Sequence, residues 1–296
     1  MRKILLLRNL SKSAGSDTQA IPDFFSQAAE TTVELFEACF DDLVITVGDG
    51  TFSIFDAQNQ HDLNEYSAIF IRGANGFDAV RDVALAVGYY GRLFHIDVFN
   101  DIEYSVQSKL AHAVRFEYLN IPVGKTVWVS KAVLEHPENL SIQFPCVMKA
   151  SMSSLGKYNY KVKNFAEVKR RQAAHPNRRF VLQEFFAGDG DYRLLMVGSE
   201  KLLISYYNDP KASYSKLATE GIAAKIVPLS ELPKRAVSDA EKIAAYQHMK
   251  LCGTDILVNH QTGRYTFLEV NAQPNLTNLD DPITEKIATF RRFFQK

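Results

Sequence analysis

The 296-residue chain has only three cysteines, few prolines and glycines, and no surplus of either charge. Each shortage excludes something. Cys39, Cys146 and Cys252 are odd in number, widely spaced and flanked by apolar residues. They form no disulfide framework and match no zinc-ligand spacing. They read as small buried hydrophobes, and the expected location is the cytoplasm. With 46% apolar and 23% charged residues, the chain is not collagen-like, low-complexity or disordered. Lys+Arg and Asp+Glu both number 34, so the formal net charge is zero and a nonspecific nucleic-acid partner is not expected. No apolar run approaches the roughly 20 residues that span a bilayer, so no membrane partner is expected either. The opening Met1-Arg-Lys-Ile-Leu-Leu-Leu-Arg8 has four apolar residues. A secretory segment needs about 7–15, so this stretch reads as a first strand. No Ser–His–Asp or Cys–His arrangement is evident.

At ~150 residues per domain, the length suggests about two domains or one large one. What the chain does have is alternating strand and helix signals. Residues 4–7, 43–47, 68–71 and 93–98 are short apolar runs suited to buried strands. Residues 28–40 carry Val33, Phe36 and Phe40 at helical spacing. Residues 76–87 place Val80, Val83, Ala84 and Val87 on one helical face, with Gly88 as a stop. This alternation predicts an α/β region with a parallel sheet over residues 1–103. Strand 68–71 runs into Arg72-Gly73. Ligands of such sheets sit beyond the carboxyl ends of the strands, so Arg72 is a candidate for holding a substrate carboxylate or phosphate. A surface arginine reads equally well. Further on, helices are expected over 105–119, 165–174, 236–251 and 283–294. A small polar loop covers 151–159, and a longer one, 208–221, has the character of a lid.

The most informative stretch is 253–271, which reads as two strands joined by a turn containing Gly263. Alternation puts Glu269 and Asn271 on one face and Leu268 and Val270 in the core. A turn centred on Thr262 sets Asp255 opposite Glu269, so two carboxylates and an amide oxygen converge. Like charges that close repel unless a cation lies between them, and hard oxygen ligands suit Mg²⁺. A solvated hairpin face is the plainer reading. Upstream, Phe144-Pro-Cys-Val-Met-Lys149 ends an apolar strand with a lysine able to hold phosphate oxygens. Phe180-Val-Leu-Gln-Glu-Phe-Phe186 can offer backbone groups to a purine edge, and Arg193 shares a face with Asp191.

In this order the segments resemble the ATP-grasp superfamily. The likeness rests on Val147-Met-Lys149, the Gly156 loop, Gln183-Glu-Phe-Phe186, Asp191-Tyr-Arg193, Gly253-Thr-Asp255 and Leu268-Glu-Val-Asn-Ala-Gln-Pro274. It is closest to the RimK-type glutamate-ligase branch, with Ser108-Lys109 ahead of a helix and Ala223-Ala224 after the lid, and it covers roughly residues 104–290. It implies an ATP-grasp fold behind an N-terminal parallel-sheet domain. The implied units are 1–103, a central α+β unit 104–180 with the phosphate loop, and a C-terminal unit 181–296 with the metal site. It implies that Lys149, assisted by Lys109 and Gly156, meets ATP phosphates. Gln183, Glu184, Phe185 and Phe186 would line the adenine cleft, Asp191 would lie near the ribose, and Ser215 and Lys216 would belong to the nucleotide set. Arg193 would act with Lys149 on the transferring phosphoryl group. Asp255, Glu269 and Asn271 would hold two Mg²⁺ ions, with Mn²⁺ as an alternative.

The implied reaction activates a carboxylate as an acyl phosphate, which an amine displaces to give an amide, ADP and phosphate. Small-molecule or peptide carboxylates and amines are the implied partners, with a homo-oligomer allowed. Two departures stand out. The phosphate loop keeps a single glycine, and Tyr206-Tyr207 and Tyr214-Ser215-Lys216 stand where the family carries arginines. A binding module with reduced catalysis and a phosphotransferase are the alternative functions.

Overall fold

The computed structural model describes residues 1–9, 17–31, 33–74, 79–103, 108–153, 157–207, 223–277 and 282–296. In chain order the first elements are β1 (Arg2–Arg8), α1 (Asp17–Ala29), β2 (Val33–Cys39), β3 (Leu43–Gly48), β4 (Thr51–Asp56), β5 (His61–Asp62), β6 (Ala68–Arg72), α2 (Ala79–Phe94) and β7 (Asp97–Phe99). Strands β2-β1-β6-β7 form a fully parallel sheet. Ile4, Leu5, Leu6 and Leu7 have no exposed surface. Ile4 and Leu6 face one core while Leu5 and Leu7 face another, as a parallel sheet covered on both sides requires. Strands β3, β4 and β5 form a separate antiparallel sheet, so 43–47 is a strand outside the parallel one.

Four expectations change here. The strand expected over 93–98 is only Asp97–Phe99, because Leu93 and Phe94 close α2, and the helix expected over 236–251 ends at Tyr246, with Leu251 already in a strand. Residues 33–39 are strand β2, and the helix lies earlier, at α1. Pairing with β1 along its whole length decides the conformation, and β-branched Val33 suits it. Gly88 does not stop α2, which continues to Phe94. It serves packing instead, because a Cβ at Gly88 would lie 2.7 Å from the Asp101 carboxylate.

The central elements are α3 (Lys109–Tyr118), β8 (Thr126–Trp128), α4 (Lys131–Glu135), β9 (Cys146–Ala150), β10 (Asn159–Val162), α5 (Phe165–Ala174) and β11 (Phe180–Glu184). They build an antiparallel sheet of order β10-β9-β11-β8. One face of it packs Met148, Val162, Phe180 and Leu182 against Val168 of α5. The Asn164 side chain caps α5, accepting from the Glu167 amide at 3.1 Å.

The remaining elements are β12 (Gly190–Val197), β13 (Glu200–Tyr207), β14 (Ala223–Val227), α6 (Lys234–Tyr246), β15 (Leu251–Asn259), β16 (Arg264–Asn271) and α7 (Ile283–Phe294). Their sheet runs β14-β13-β12-β15-β16, antiparallel throughout. Leu194, Met196, Ile256, Phe267 and Val270 pack on one side with α3 and α6. On the other side Leu195, Val197 and Ile204 join Phe290 and Phe294 of α7, Phe24 and Phe25 of α1, and Phe70 and Phe99 of the parallel sheet. No described helix is long and apolar enough to cross a membrane.

His112 of α3 is 3% exposed, and its Nδ1 has no hydrogen-bond partner. Burial, then the charges of Lys109 and Arg115, hold its imidazole down to about 4, against the pull of Asp255. The unfolded chain therefore binds this proton from about pH 6.5 downward, whereas the native chain stays neutral until about 4. Stability from this group is full above pH 6.5 and falls by about 3 kcal/mol as the pH drops to 4. Urea unfolding of the wild type should show that much more loss across the window than His112→Leu; equal losses would contradict it.

Candidate active site

Two sheets face each other across a cleft. The central sheet contributes Val147, Lys149, Gln183 and Phe186 to it; the C-terminal sheet contributes Leu257, Thr266 and Leu268. Lys149 lies on β9, and its Nζ donates to Gln183 Oε1 at 2.7 Å. Gln183 Nε2 donates to Thr126 Oγ1 at 3.2 Å, and Thr126 Oγ1 donates to the Gly124 carbonyl at 2.8 Å. The backbone carbonyl takes the hydroxyl proton, so Thr126 must accept from the amide, and the Gln183 oxygen is turned toward the lysine. The direct partner of Lys149 is thus neutral. Burial, then the nearby Lys109, pushes its ammonium down to about 8, against the carboxylates of Glu269, Asp191 and Asp255.

The acidic side is set by register. Arg193 of β12 lies opposite Asp255 of β15, and Asp255 lies opposite Glu269 of β16. Cross-strand partners share a face, so the three side chains form one row. Asn271, opposite Gly253, continues the strip. Arg193 grips Asp255 with two bonds, Nε to Oδ1 at 2.7 Å and Nη2 to Oδ2 at 2.9 Å. Asn271 Nδ2 donates to Glu269 Oε1 at 3.2 Å, and Glu269 Oε2 lies 3.9 Å from Lys109 Nζ. Burial works against the Arg193 charge, but the Asp255 carboxylate outweighs it and holds the guanidinium above its usual value. Burial and the charge of Glu269 push the Asp255 carboxyl up, against the pull of Arg193. Among the described residues no three His, Cys, Asp or Glu side chains gather. The strip offers two carboxylates and one amide, an all-oxygen donor set that fits a hard divalent cation.

The register departs from the sequence expectation at one point. A β-bulge lies between Asp255 and Ile256, so Ile256 pairs with Phe267 and Leu268 is the extra residue. Phe267 and Val270 are buried in the core, whereas Leu268, expected there, lines the cleft.

Lys109 opens α3 and donates to the Ser153 carbonyl at 3.0 Å. Its ammonium is lowered by burial, against the pull of Glu269 and Asp255. Glu184 is exposed, and its carboxylate accepts from the Lys125 amide at 3.4 Å. The Phe185 ring has the Lys161 ammonium 3.8 Å from its centroid. Asp191, half-buried on β12, pairs in register with Leu257. Arg72 donates to the Pro274 carbonyl at 3.2 Å, just past β16. Gly156, Ser215, Lys216 and the whole of the 208–221 loop lie outside the described residues. Sequence reasoning did not find Thr126, Thr266 and Leu268, whose places depend on strand pairing and on the bulge.

A lysine-bearing antiparallel sheet closing over a second sheet with a carboxylate row, behind a parallel N-terminal sheet, is the architecture of the ATP-grasp class. The model of the RimK-like ATP-grasp domain matches residues 110–289. The chain belongs to that family, a class of ATP-dependent carboxylate–amine ligases. It is similar in structure to the macrocyclase MdnC bound with precursor peptide MdnA from Microcystis aeruginosa MRC, at 13% identity over 99% of each chain with a TM-score of 0.68. It is similar to the ATP-grasp ligase PsnB complexed with minimal precursor, at 14% identity over 98% of this chain and 99% of that one, with a TM-score of 0.65. It is also similar to D-alanyl-alanine synthetase A from Vibrio cholerae O1 biovar eltor, at 12% identity over 97% of this chain and 92% of that one, with a TM-score of 0.61. At these identities the likeness is one of fold. No curated protein matches the chain in sequence.

Proposed function

We propose that the protein is an ATP-dependent ligase that joins a carboxylate to an amine through an acyl phosphate, releasing ADP and phosphate. The observation that carries this is the row Arg193–Asp255–Glu269, whose two carboxylates act on the Lys149 ammonium at the end of a cleft lined by both sheets. A carboxylate is a poor electrophile, being anionic with oxide as its leaving group. Phosphorylation supplies a leaving group, and that transfer needs placed positive charge more than a side-chain nucleophile.

Lys149 and Lys109 would hold the phosphates, with Gly156, Ser215 and Lys216 from the flanking loops. Gln183, Glu184, Phe185 and Phe186 would line the base, with Leu268 below it, and Asp191 would stand by the ribose. Asp255, Glu269 and Asn271 would hold two Mg²⁺ ions or Mn²⁺, with Glu269 shared; bound, such ions supply Lewis-acid charge to phosphoryl oxygens. Arg193 would release one Asp255 oxygen and turn a nitrogen toward the transferring phosphoryl group. Asn271 would rotate its amide to present oxygen. Arg72, beside the loop after β16, would meet the substrate carboxylate.

The working units would be 1–103, 104–180 and 181–296, in the cytoplasm. Peptide substrates are favoured over free amino acids because two of the similar structures hold precursor peptides. A coupled ADP-release screen against small carboxylates, amino acids and peptides tests the reading. A productive pair should release ADP and not AMP, and hydroxylamine in place of the amine should yield a hydroxamate. Nucleotide binding without ADP release across the panel would sink it, and a stable phosphorylated product without hydroxamate would make the protein a phosphotransferase.

A further inference from the structure

The chain is neutral overall but not locally. Residues 1–103 hold sixteen acidic and seven basic residues; residues 104–180 hold four acidic and thirteen basic. The excess is densest over 157–184, where eight lysines and arginines stand against Glu167 and Glu184. Elsewhere several cations are paired: Arg8 with Glu37, Lys201 with Glu241, Lys250 with Asp97, Arg291 with Glu30, and Arg292 with Glu200. Over 157–184 the described residues give one ion pair, Arg170 with Glu167 at 3.9 Å. Even there Glu167 spends its other oxygen on the Lys163 amide, at 2.9 Å.

These cations are placed and not merely scattered. The Arg178 guanidinium lies 3.6 Å from the Tyr158 ring centroid, and that of Arg171 lies 4.2 Å from Tyr160. His175 sits between the two tyrosines, edge-on to Tyr158 at 5.1 Å and in hydrogen-bond contact with the Tyr160 hydroxyl at 3.0 Å. Stacking holds each guanidinium plane while leaving its N–H edge free to meet a carboxylate. Lys157, Lys163, Lys169, Arg170 and Arg179 are exposed around this pair. Tyr160 pairs in register with Met148, in the core under α5, so the face is the one turned away from Lys149 and the cleft. Crowding like charges costs stability, and among the described residues only the Arg170–Glu167 pair relieves it here.

We propose that the α5 face of the central sheet docks an acidic peptide segment outside the reaction cleft. The identity of that segment as part of the substrate rests on the peptide reading above; the surface itself does not. A short acidic segment needs one face only. Nucleic-acid binders carry a basic excess, whereas this chain is neutral overall with sixteen acidic against seven basic residues in 1–103, which disfavours nucleic acid.

Fluorescein-labelled deca-glutamate, followed by anisotropy without ATP, is the probe. The wild type should bind it at about 50 mM salt and more weakly as screening increases. Lys163→Glu, Arg170→Glu and Arg179→Glu combined should weaken binding at least about tenfold, with an unchanged circular dichroism spectrum. The same charge change at exposed Lys131, Lys234 and Arg264 should leave affinity within about twofold. Equal loss in both triples, or no binding by the wild type, overturns the proposal. Tighter capture of an oligo-dT strand that depends on the α5 cations would overturn it in favour of nucleic acid. Self-association abolished by the α5 triple would do so in favour of a second copy. Peptide binding by a protein that never releases ADP sinks the ligase reading alone; a working ligase without α5 selectivity sinks the docking alone.

Discussion

Glu269→Gln will lower ADP release at least about a thousandfold, equivalent to about 4 kcal/mol of transition-state stabilisation, while unfolding free energy stays within about 1 kcal/mol. The split follows from its surroundings. Glu269 is half-buried beside Asp255, whose carboxyl its charge pushes up, so an amide of the same shape relieves a repulsion in the resting protein. The hydrogen bond from Asn271 survives, because an amide oxygen accepts it equally well. What is lost is one of two carboxylates in a strip whose proposed task is to gather positive charge at a phosphoryl group. Steady-state ADP release and urea melts on the same preparation read the two effects separately. A stable variant with near wild-type turnover would remove the metal site from the mechanism.

Breaking the Arg193–Asp255 pair is expected to act on folding as well. Both side chains are largely buried and share two hydrogen bonds. Arg193→Met leaves the buried Asp255 carboxyl without its partner, and Asp255→Leu does the same to the guanidinium, so each should cost about 3–5 kcal/mol. The double replacement removes both charges together and should recover most of that, ending within about 1–2 kcal/mol of the wild type. All three variants should fail to release ADP, because Asp255 and Arg193 both face the proposed phosphate end. Strictly additive single losses in chemical denaturation would show that the two groups do not act as a unit.

The meeting of Asp255 and Glu269 was legible because a hairpin's register follows from its turn and its apolar alternation. The rest of that ladder was not. From Ile256–Phe267 to Asn259–Arg264 the pairs centre half a residue before Thr262, and the bulge absorbs the difference. A bulge leaves no mark in alternation, so Leu268 read as core while it faces the cleft. The grip of Arg193 on Asp255 joins strands 62 residues apart in sequence, a pairing no local pattern specifies. The misreading of 28–40 has the opposite cause. Val33, Phe36 and Phe40 match a helical period by accident, and seven ladder partners along β1 override it. The N-terminal parallel sheet, α5 and α7 were all legible, because their periodicity and their long-range packing agree.

The core that joins Phe24, Phe70 and Phe290 to Leu195 and Ile204 welds the first and last sheets into one block. The core under α5 belongs to the central sheet alone. The central sheet is thus joined to that block by its two connecting tethers and not by a shared core. The first tether is pinned to β16 as far as Val123, where the Phe267 amide bonds the Pro122 carbonyl at 2.9 Å, and the second ends where Asp189 bonds the Val258 carbonyl at 3.0 Å. Gly124 and Gly188 stand next to those two anchor points, and a Cβ at Gly188 would lie 2.7 Å from the Val258 carbonyl oxygen, so the backbone passes there only as glycine.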